Sequence, residues 1–254
     1  MKANTAKAKM LAGKPAYGYS LGLGSPIAAE MLAGTGIDFA FVDTQHGSWG
    51  PDSVTLAFIA IAAGGAVPMA RVARNDYTLI GRLLDEGSMG IIVPLVHTPD
   101  DARRAADACR LPPTGSRSWG WGAANRHGAD YASRIDDELF VAVQIESIQA
   151  VENAEAIMAT PGVDGCWLGP ADLALSMGIH PSNAANDDRH ARAIERVLEA
   201  CVNTGKIPGF AAFSPPDALR RAEQGFRYLT AGSDSGFLMG GARAGVQTLG
   251  LRES

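Results

Sequence analysis

Eight short runs in this chain are apolar along their length rather than alternating, and helical patterns fill the intervals between them. The runs fall at Tyr17–Leu21, Asp38–Val42, Val67–Arg71, Gly90–Val93, Phe140–Ile145, Val163–Leu168, Ile207–Ala211 and Tyr228–Ala231. A strand with one wet face alternates, whereas a strand covered on both faces does not. Strands of this kind, each followed by a helix, build a parallel sheet, and eight such units close into a barrel. The length of 254 residues suits one barrel. The expected fold is therefore α/β: a single (β/α)8 TIM-barrel domain over residues 1–254, with an extra N-terminal helix and a C-terminal helical tail.

The helix boundaries carry their own signals. Ser25-Pro26, Pro51-Asp52, Thr98-Pro99 and Ser214-Pro215 open helices with a capping residue or a first-turn proline. Gly34, Gly87, Gly205 and Gly225 close them. The segment Leu111–Asp136, with Pro112-Pro113, Gly115, Gly120, Gly122, Trp119, Trp121 and Tyr131, reads as a long loop after strand 4 with little regular structure. Long ordered loops in compact domains are often functional, so it is expected over the site or at a subunit contact.

Composition excludes several classes. A net charge of −5 without a basic stripe gives no nucleic-acid footprint. Cys109, Cys166 and Cys201 are odd in number and lack CxxC spacing, which predicts free thiols in a reducing cytoplasm and no zinc site. The N-terminus has no apolar signal region. The longest apolar run, Val54–Ala70, is broken by Gly64, Gly65 and Pro68, so a helix, a turn and a strand explain it better than a membrane span.

Chemistry is expected at the carboxyl ends of the strands. Strand 2 runs into Asp43-Thr44-Gln45-His46. A histidine there suits a general base, with Asp43 or Asp85 as the carboxylate that orients its ring. Arg71 closes strand 3 and offers a guanidinium to an oxyanion or carboxylate. Glu146 ends strand 5 and Asp172 follows strand 6. Two acids converging on one face need a cation, and oxygen-only ligands favour Mg2+ or Mn2+. Either acid alone would also serve as a helix cap. The Gly169-Pro170-Ala171 turn leaves backbone N–H groups for a substrate carboxylate, and Gln144 points the same way as Glu146. Lysines occur only at positions 2, 7, 9, 14 and 206, none at a strand's carboxyl end, which removes Schiff-base chemistry.

In combination these motifs resemble the HpcH/HpaI family of class II pyruvate aldolases. The likeness runs from Met10-Leu11-Ala12-Gly13 to Ala231-Gly232-Ser233-Asp234. It includes Asp43-x-x-His46, Arg71 with Asn75-Asp76, Leu84-Asp85-x-Gly87, Pro112-Pro113-x-Gly115-x-Arg117, Gln144-Ile145-Glu146 and Gly169-Pro170-Ala171-Asp172-Leu173. The resemblance implies a lyase in which Glu146 and Asp172 hold a divalent metal, Mg2+ or Mn2+ with Co2+ a further candidate. The donor would be pyruvate or hydroxypyruvate and the acceptor an aldehyde. His46 would take the C3 proton, directly or by way of a water, with Asp85 and Asp43 tuning it, and Arg71 would stabilise the enolate. Gln144, Gly169, Ala171 and Asp172 would hold the donor. Trp49, Ser116 and Phe210 would wall the pocket, Trp49 on the aldehyde side. Gln45 stands where many relatives carry an acid. The resemblance also implies a homohexamer. Two other functions share the constellation: an oxaloacetate decarboxylase that uses its enolate differently, and a catalytically silent barrel that binds a keto acid. A citrate-lyase-type CoA ester enzyme would need a longer chain and a basic groove.

Overall fold

A computed structural model describes residues 1–251. Eight parallel strands hydrogen-bond in sequence order, and β1 pairs with β8 to close the barrel. The strands are β1 (Ala16–Leu21), β2 (Phe39–Asp43), β3 (Val67–Arg71), β4 (Gly90–Val93), β5 (Phe140–Ile145), β6 (Gly165–Leu168), β7 (Gly209–Ala211) and β8 (Tyr228–Ser233). Helix α1 (Thr5–Leu11) precedes them. The outer helices are α2 (Pro26–Ala33), α3 (Pro51–Ala63), α4 (Tyr77–Asp85), α5 (Pro99–Cys109), α6 (Trp121–His127), α7 (Tyr131–Glu138), α8 (Ile148–Glu152), α9 (Ala154–Met158), α10 (Pro170–Ser176), α11 (Asp188–Asn203) and α12 (Pro215–Gln224). Helix α13 (Asp234–Thr248) ends the described chain.

Strand β7 is shorter than the apolar run predicts. Pro208 has no N–H to give to a ladder, and Ile207 keeps only an isolated bridge to Gly165. The other strands match their runs to within a residue or two at the ends. Side-chain caps start the helices where the sequence signals them: Ser25 accepts from Ala28 N–H, Thr98 from Asp101 N–H and Ser214 from Asp217 N–H.

The barrel interior is filled by aromatics set against glycines. Phe39 of β2 stacks on Tyr228 of β8 with centroids 4.6 Å apart, and Tyr228 meets Phe140 of β5 at 4.8 Å. The facing strands yield the space. A Cβ at Gly18 would come within 2.4 Å of the Phe39 ring, and one at Gly209 within 2.8 Å of the Tyr228 ring. Gly18→Val should therefore destabilise the barrel by about 3 kcal/mol or more, because overpacking of a filled core forces backbone shifts. Chemical denaturation of the variant checks this, and an unchanged midpoint would mean the layer is loosely packed.

One expectation about the chain's path needs correction. Leu111–Asp136 is not a loop above the site. It follows α5 rather than β4, so it leaves from the amino-terminal end of the barrel, and it folds into α6 and most of α7. Buried Tyr131 and Ile135, four residues apart, are the helical signal that the glycines and prolines obscured. The tail beyond Phe237 belongs to α13, whose apolar residues Leu238, Met239, Leu249 and Leu251, the last two just past its end, lie exposed.

All three cysteines are free and buried, and Cys166 and Cys201 bring their sulfurs to 3.5 Å. Burial pushes the Cys109 thiol up to about 12, which keeps it protonated. No helix among the described residues is long and apolar enough to cross a membrane.

Candidate active site

The carboxyl ends of β2 and β3 pair residue for residue, so that Asp43 lies opposite Arg71. Both side chains are buried and they join at two points. Arg71 Nε donates to Asp43 Oδ1 at 2.9 Å, and Nη2 donates to Oδ2. The remaining nitrogen, Nη1, has no hydrogen bond to any described residue. The Trp167 ring of β6 lies against the guanidinium, 5.3 Å from centroid to Cζ. Arg71 is thus held flat on two sides with one N–H edge left over.

Asp43 therefore does not orient the His46 ring. Its Oδ1 takes the backbone N–H groups of Gln45 and His46, at 3.0 and 3.2 Å. This turns the chain sharply after β2 and leaves the His46 side chain exposed at the mouth. A guanidinium competes better than a neutral ring for a buried carboxylate, which is why the salt bridge forms first. The loop beyond His46 is pinned to the neighbouring strand: Trp49 Nε1 donates to the carbonyl of Leu21 at 2.7 Å. The indole therefore lies at the mouth beside the end of β1.

Glu146 follows β5 and is buried to 4% exposure. Its Oε1 accepts the Leu95 backbone N–H at 2.8 Å, and its Oε2 accepts from Gln144 Nε2. Leu95 makes that contact with a φ of +56°, in the left-handed region that leucine rarely occupies. A strained non-glycine residue aimed at a carboxylate is a feature that concentrates at functional sites. Burial, followed by the negative charge of Asp172, raises the Glu146 carboxyl to about 7, against the Leu95 hydrogen bond and the Arg71 charge, which lower it. Gln144 Oε1 is buried with no partner. Gly169 brings backbone close to this pair: a Cβ there would lie 3.0 Å from Gln144 Nε2 and 3.3 Å from Glu146 Oε2.

Asp172 sits in the first turn of α10 with Gly169 as the N-cap, so its carboxylate is not spent on capping. The N–H groups of Ala171 and Asp172 make no hydrogen bond to described residues. This turn is fixed from outside by His190 of α11, whose Nε2 donates to the Pro170 carbonyl at 2.9 Å.

Three expected site residues lie elsewhere. Asp85 ends α4, at the amino-terminal end of the barrel, while His46 is at the carboxyl end; Asp85 pairs there with Arg117 at 3.0 Å. It does not reach His46 within one chain. Phe210 points outward from β7, since its inward neighbour Gly209 faces Tyr228. The Phe210 ring packs on Phe226, and the Arg221 guanidinium of α12 lies 4.1 Å above it. Ser116 lies beyond α5, bound to the Asp107 side chain on the outer surface.

Four residues escaped the sequence reading of the site. Trp167 was legible from its alternation with Gly165 in β6 and Gly169 just beyond it. His190 and Leu95 had no local signal. Asp234 was quoted only as part of a motif. Its buried carboxylate accepts from the N–H groups of Gly22 and Leu23 at 2.9 Å each and so shapes the loop after β1.

The geometry defines a class: a barrel enzyme whose mouth holds a paired arginine, two adjacent carboxylates and an exposed histidine. The model for the HpcH/HpaI aldolase/citrate lyase family matches residues 18–239, and the chain belongs to that family, whose members include carbon–carbon lyases. The chain is 36% identical over 245 residues to the 4-hydroxy-2-oxo-heptane-1,7-dioate aldolase of Escherichia coli, covering 95% of this chain and 93% of that one. The crystal structure of an HpcH/HpaI aldolase/citrate lyase family protein from Burkholderia cenocepacia J2315 superimposes with a TM-score of 0.88 at 34% identity, over 97% and 99% of the two chains. The HpcH/HpaI aldolase of Desulfitobacterium hafniense DCB-2 gives 0.90 at 26% identity, over 98% and 97%.

Proposed function

We propose that this protein is a divalent-metal-dependent aldolase that forms or cleaves 4-hydroxy-2-oxo acids by way of a pyruvate-type enolate and an aldehyde. The observation that carries this reading is the pair Glu146 and Asp172 beside Arg71. One acid is buried and raised to about 7 by burial and its neighbour's charge. The residues fit a hard cation. Glu146 and Asp172 offer carboxylate oxygens, and the buried Gln144 Oε1 lacks a partner. Mg2+ is commonly held by one or two carboxylates with waters and substrate oxygens completing its shell, whereas zinc wants three or four protein ligands. Mn2+ and Co2+ suit the same donors.

Glu146 and Asp172 would hold the ion, and the Leu95 N–H and Gln144 amide fix the Glu146 carboxylate. When bound, the ion supplies Lewis-acid polarisation of the 2-oxo group of the donor. The free N–H groups of Ala171 and Asp172, at the Gly169 turn, bind the donor carboxylate. Arg71 donates its remaining Nη1–H to the oxygen where negative charge develops as the C3 proton leaves. His46 takes that proton, with its ring open to the mouth, and returns it to the aldehyde oxygen in the synthetic direction. Trp49 borders the aldehyde side. No lysine competes for the carbonyl: Lys7, Lys9 and Lys206 are tied to Asp164, Asp38 and the Val163 carbonyl at the opposite end of the barrel.

The relatives' names support the 4-hydroxy-2-oxo acid class of substrate. The barrel acts as one domain, in the cytoplasm, where buried free thiols persist. Exposed Ile27 and Met31 of α2, together with the apolar residues of α13, support assembly into a homo-oligomer, a hexamer in our reading.

Deuterium exchange at C3 of pyruvate, followed by NMR, tests the proposal. Metal-stripped protein should give no exchange, and added Mn2+ or Mg2+ should restore it. A folded barrel that exchanges nothing with any divalent ion would remove the pyruvate-enolate reading. The metal's affinity should also fall as pH drops below about 7, approaching tenfold per unit, because the ion must displace the proton on Glu146. Mn2+ binding measured from pH 8 to 5 would show it, and a flat profile would exclude Glu146 as a ligand.

A further inference from the structure

A second histidine, His97, stands at the carboxyl end of the barrel. It lies in the loop Pro94–Thr98 between β4 and α5, two residues after the strained Leu95. Three separate elements fix it. Its backbone N–H donates to Asp101 Oδ2, in the first turn of α5, at 3.1 Å. Its carbonyl accepts from Asn153 Nδ2, between α8 and α9, at 2.9 Å. Its ring Nδ1 shares a hydrogen bond with Ser147 Oγ at 2.8 Å. Ser147 is the residue after Glu146. It caps α8 by accepting the Ala150 N–H, so its own proton is available to the ring.

The ring bond differs from the other two in what it joins. The backbone bonds tie His97 to the outer helices, whereas the ring ties the β4 loop to the end of β5, where Glu146 stands. Leu95 needs such a tie. Its φ of +56° is a conformation that an L side chain keeps only when its surroundings hold it there. The Leu95 side chain is 54% exposed and supplies little of that hold. Val96 beside it is fully buried, but apolar contact is non-directional and does not set which way a peptide N–H points. The N–H at stake is the one that meets Glu146 Oε1 at 2.8 Å.

We propose that His97 is a positioning residue of this site. Through Nδ1 and Ser147 it locks the β4 loop to the end of β5, which keeps the Leu95 N–H on Glu146 and the carboxylate aimed at its ion. Its consequence for turnover rests on the aldolase proposal; the held position of Leu95 does not.

Two amide variants of the full-length chain test this. Asparagine carries its amide where Nδ1 stood and glutamine carries it where Nε2 stood, so His97→Asn keeps the bond to Ser147 and His97→Gln loses it. Exchange of the Leu95 amide hydrogen is followed in metal-free protein. It should be about tenfold or more faster in His97→Gln, the scale of one hydrogen bond to a charged group, and close to wild type in His97→Asn. Mn2+ affinity and metal-dependent exchange at C3 of pyruvate should fall by about tenfold in the glutamine variant and be kept in the asparagine one. If wild type shows no exchange at C3, the aldolase proposal fails, and the Leu95 amide with Mn2+ affinity still decides the role of His97. Equal Leu95 exchange in all three proteins, equal acceleration in both variants, or a freed Leu95 with unchanged Mn2+ affinity overturns the proposal.

Discussion

Arg71→Ala should lower kcat/KM for retro-aldol cleavage of a 4-hydroxy-2-oxo acid by about 10^3-fold or more, the scale lost when a charge-stabilising donor is removed. It should also lower stability by about 3 kcal/mol or more, because Asp43 is left buried and unpaired. The two effects separate in a double variant. Arg71→Ala with Asp43→Ala removes the orphaned charge, so much of the stability should return while activity stays lost. Arg71→Lys should not rescue activity, since an ammonium cannot hold both Asp43 oxygens and still present a donor to substrate. Steady-state kinetics with thermal melts on the four proteins decides this. Wild-type turnover in Arg71→Ala would remove the residue from the mechanism, and a double variant as unstable as the single one would remove Asp43 as its partner.

Glu146→Gln should do the opposite to stability while also abolishing activity. Loss of the charged oxygen should weaken Mn2+ binding by about 10^2-fold or more and eliminate metal-dependent exchange at C3. The metal-free variant should nevertheless be at least as stable as wild type above pH 7. The Glu146 carboxyl is raised from its ordinary 4.5 to about 7 in the folded protein. The unfolded chain therefore releases this proton more readily, and stability is lost as pH rises from 4.5 through 7. The residue's ionisation costs roughly 3 kcal/mol above that window. Glutamine cannot ionise, and its Oε1 can still accept the Leu95 N–H. Melts of both proteins at pH 5 and pH 8, without metal, should show wild type losing more stability between the two. An equal loss in both would mean that burial of this acid is not the strain inferred here. A greater loss in wild type would make the site an example of stability given up for binding, since only a cation at the mouth relieves the wild-type residue.

How much of this was legible before folding differs by residue. His46, Arg71, Glu146 and Asp172 were readable because each follows an apolar run. In a parallel barrel every carboxyl end opens on the same face, so position along the chain alone assigns them to the mouth. Gln144 was readable for a related reason, since residues two apart on a strand point the same way. Partner choice was not readable. Asp43 is near His46 in sequence, but the β2–β3 register sets it opposite Arg71, and the stronger donor takes it. Asp85 is an acid before a strand, which means the far end of the barrel. Phe210 needed the parity of β7, and that was hidden because Pro208 cuts the strand short.

By itself, then, the sequence determined the eight-stranded architecture, the face on which chemistry collects, the absence of a lysine there and the family to which the chain belongs. These follow from periodicity, end signals and motif order, all of which are local. The tertiary structure alone decided that Arg71 is clamped by Asp43 and Trp167, and that a strained Leu95 and an outlying His190 fix the groups around Glu146 and Asp172. Each of these depends on residues brought together across the closed barrel, where strand register and the inward or outward turn of a side chain are set only once the last strand pairs with the first.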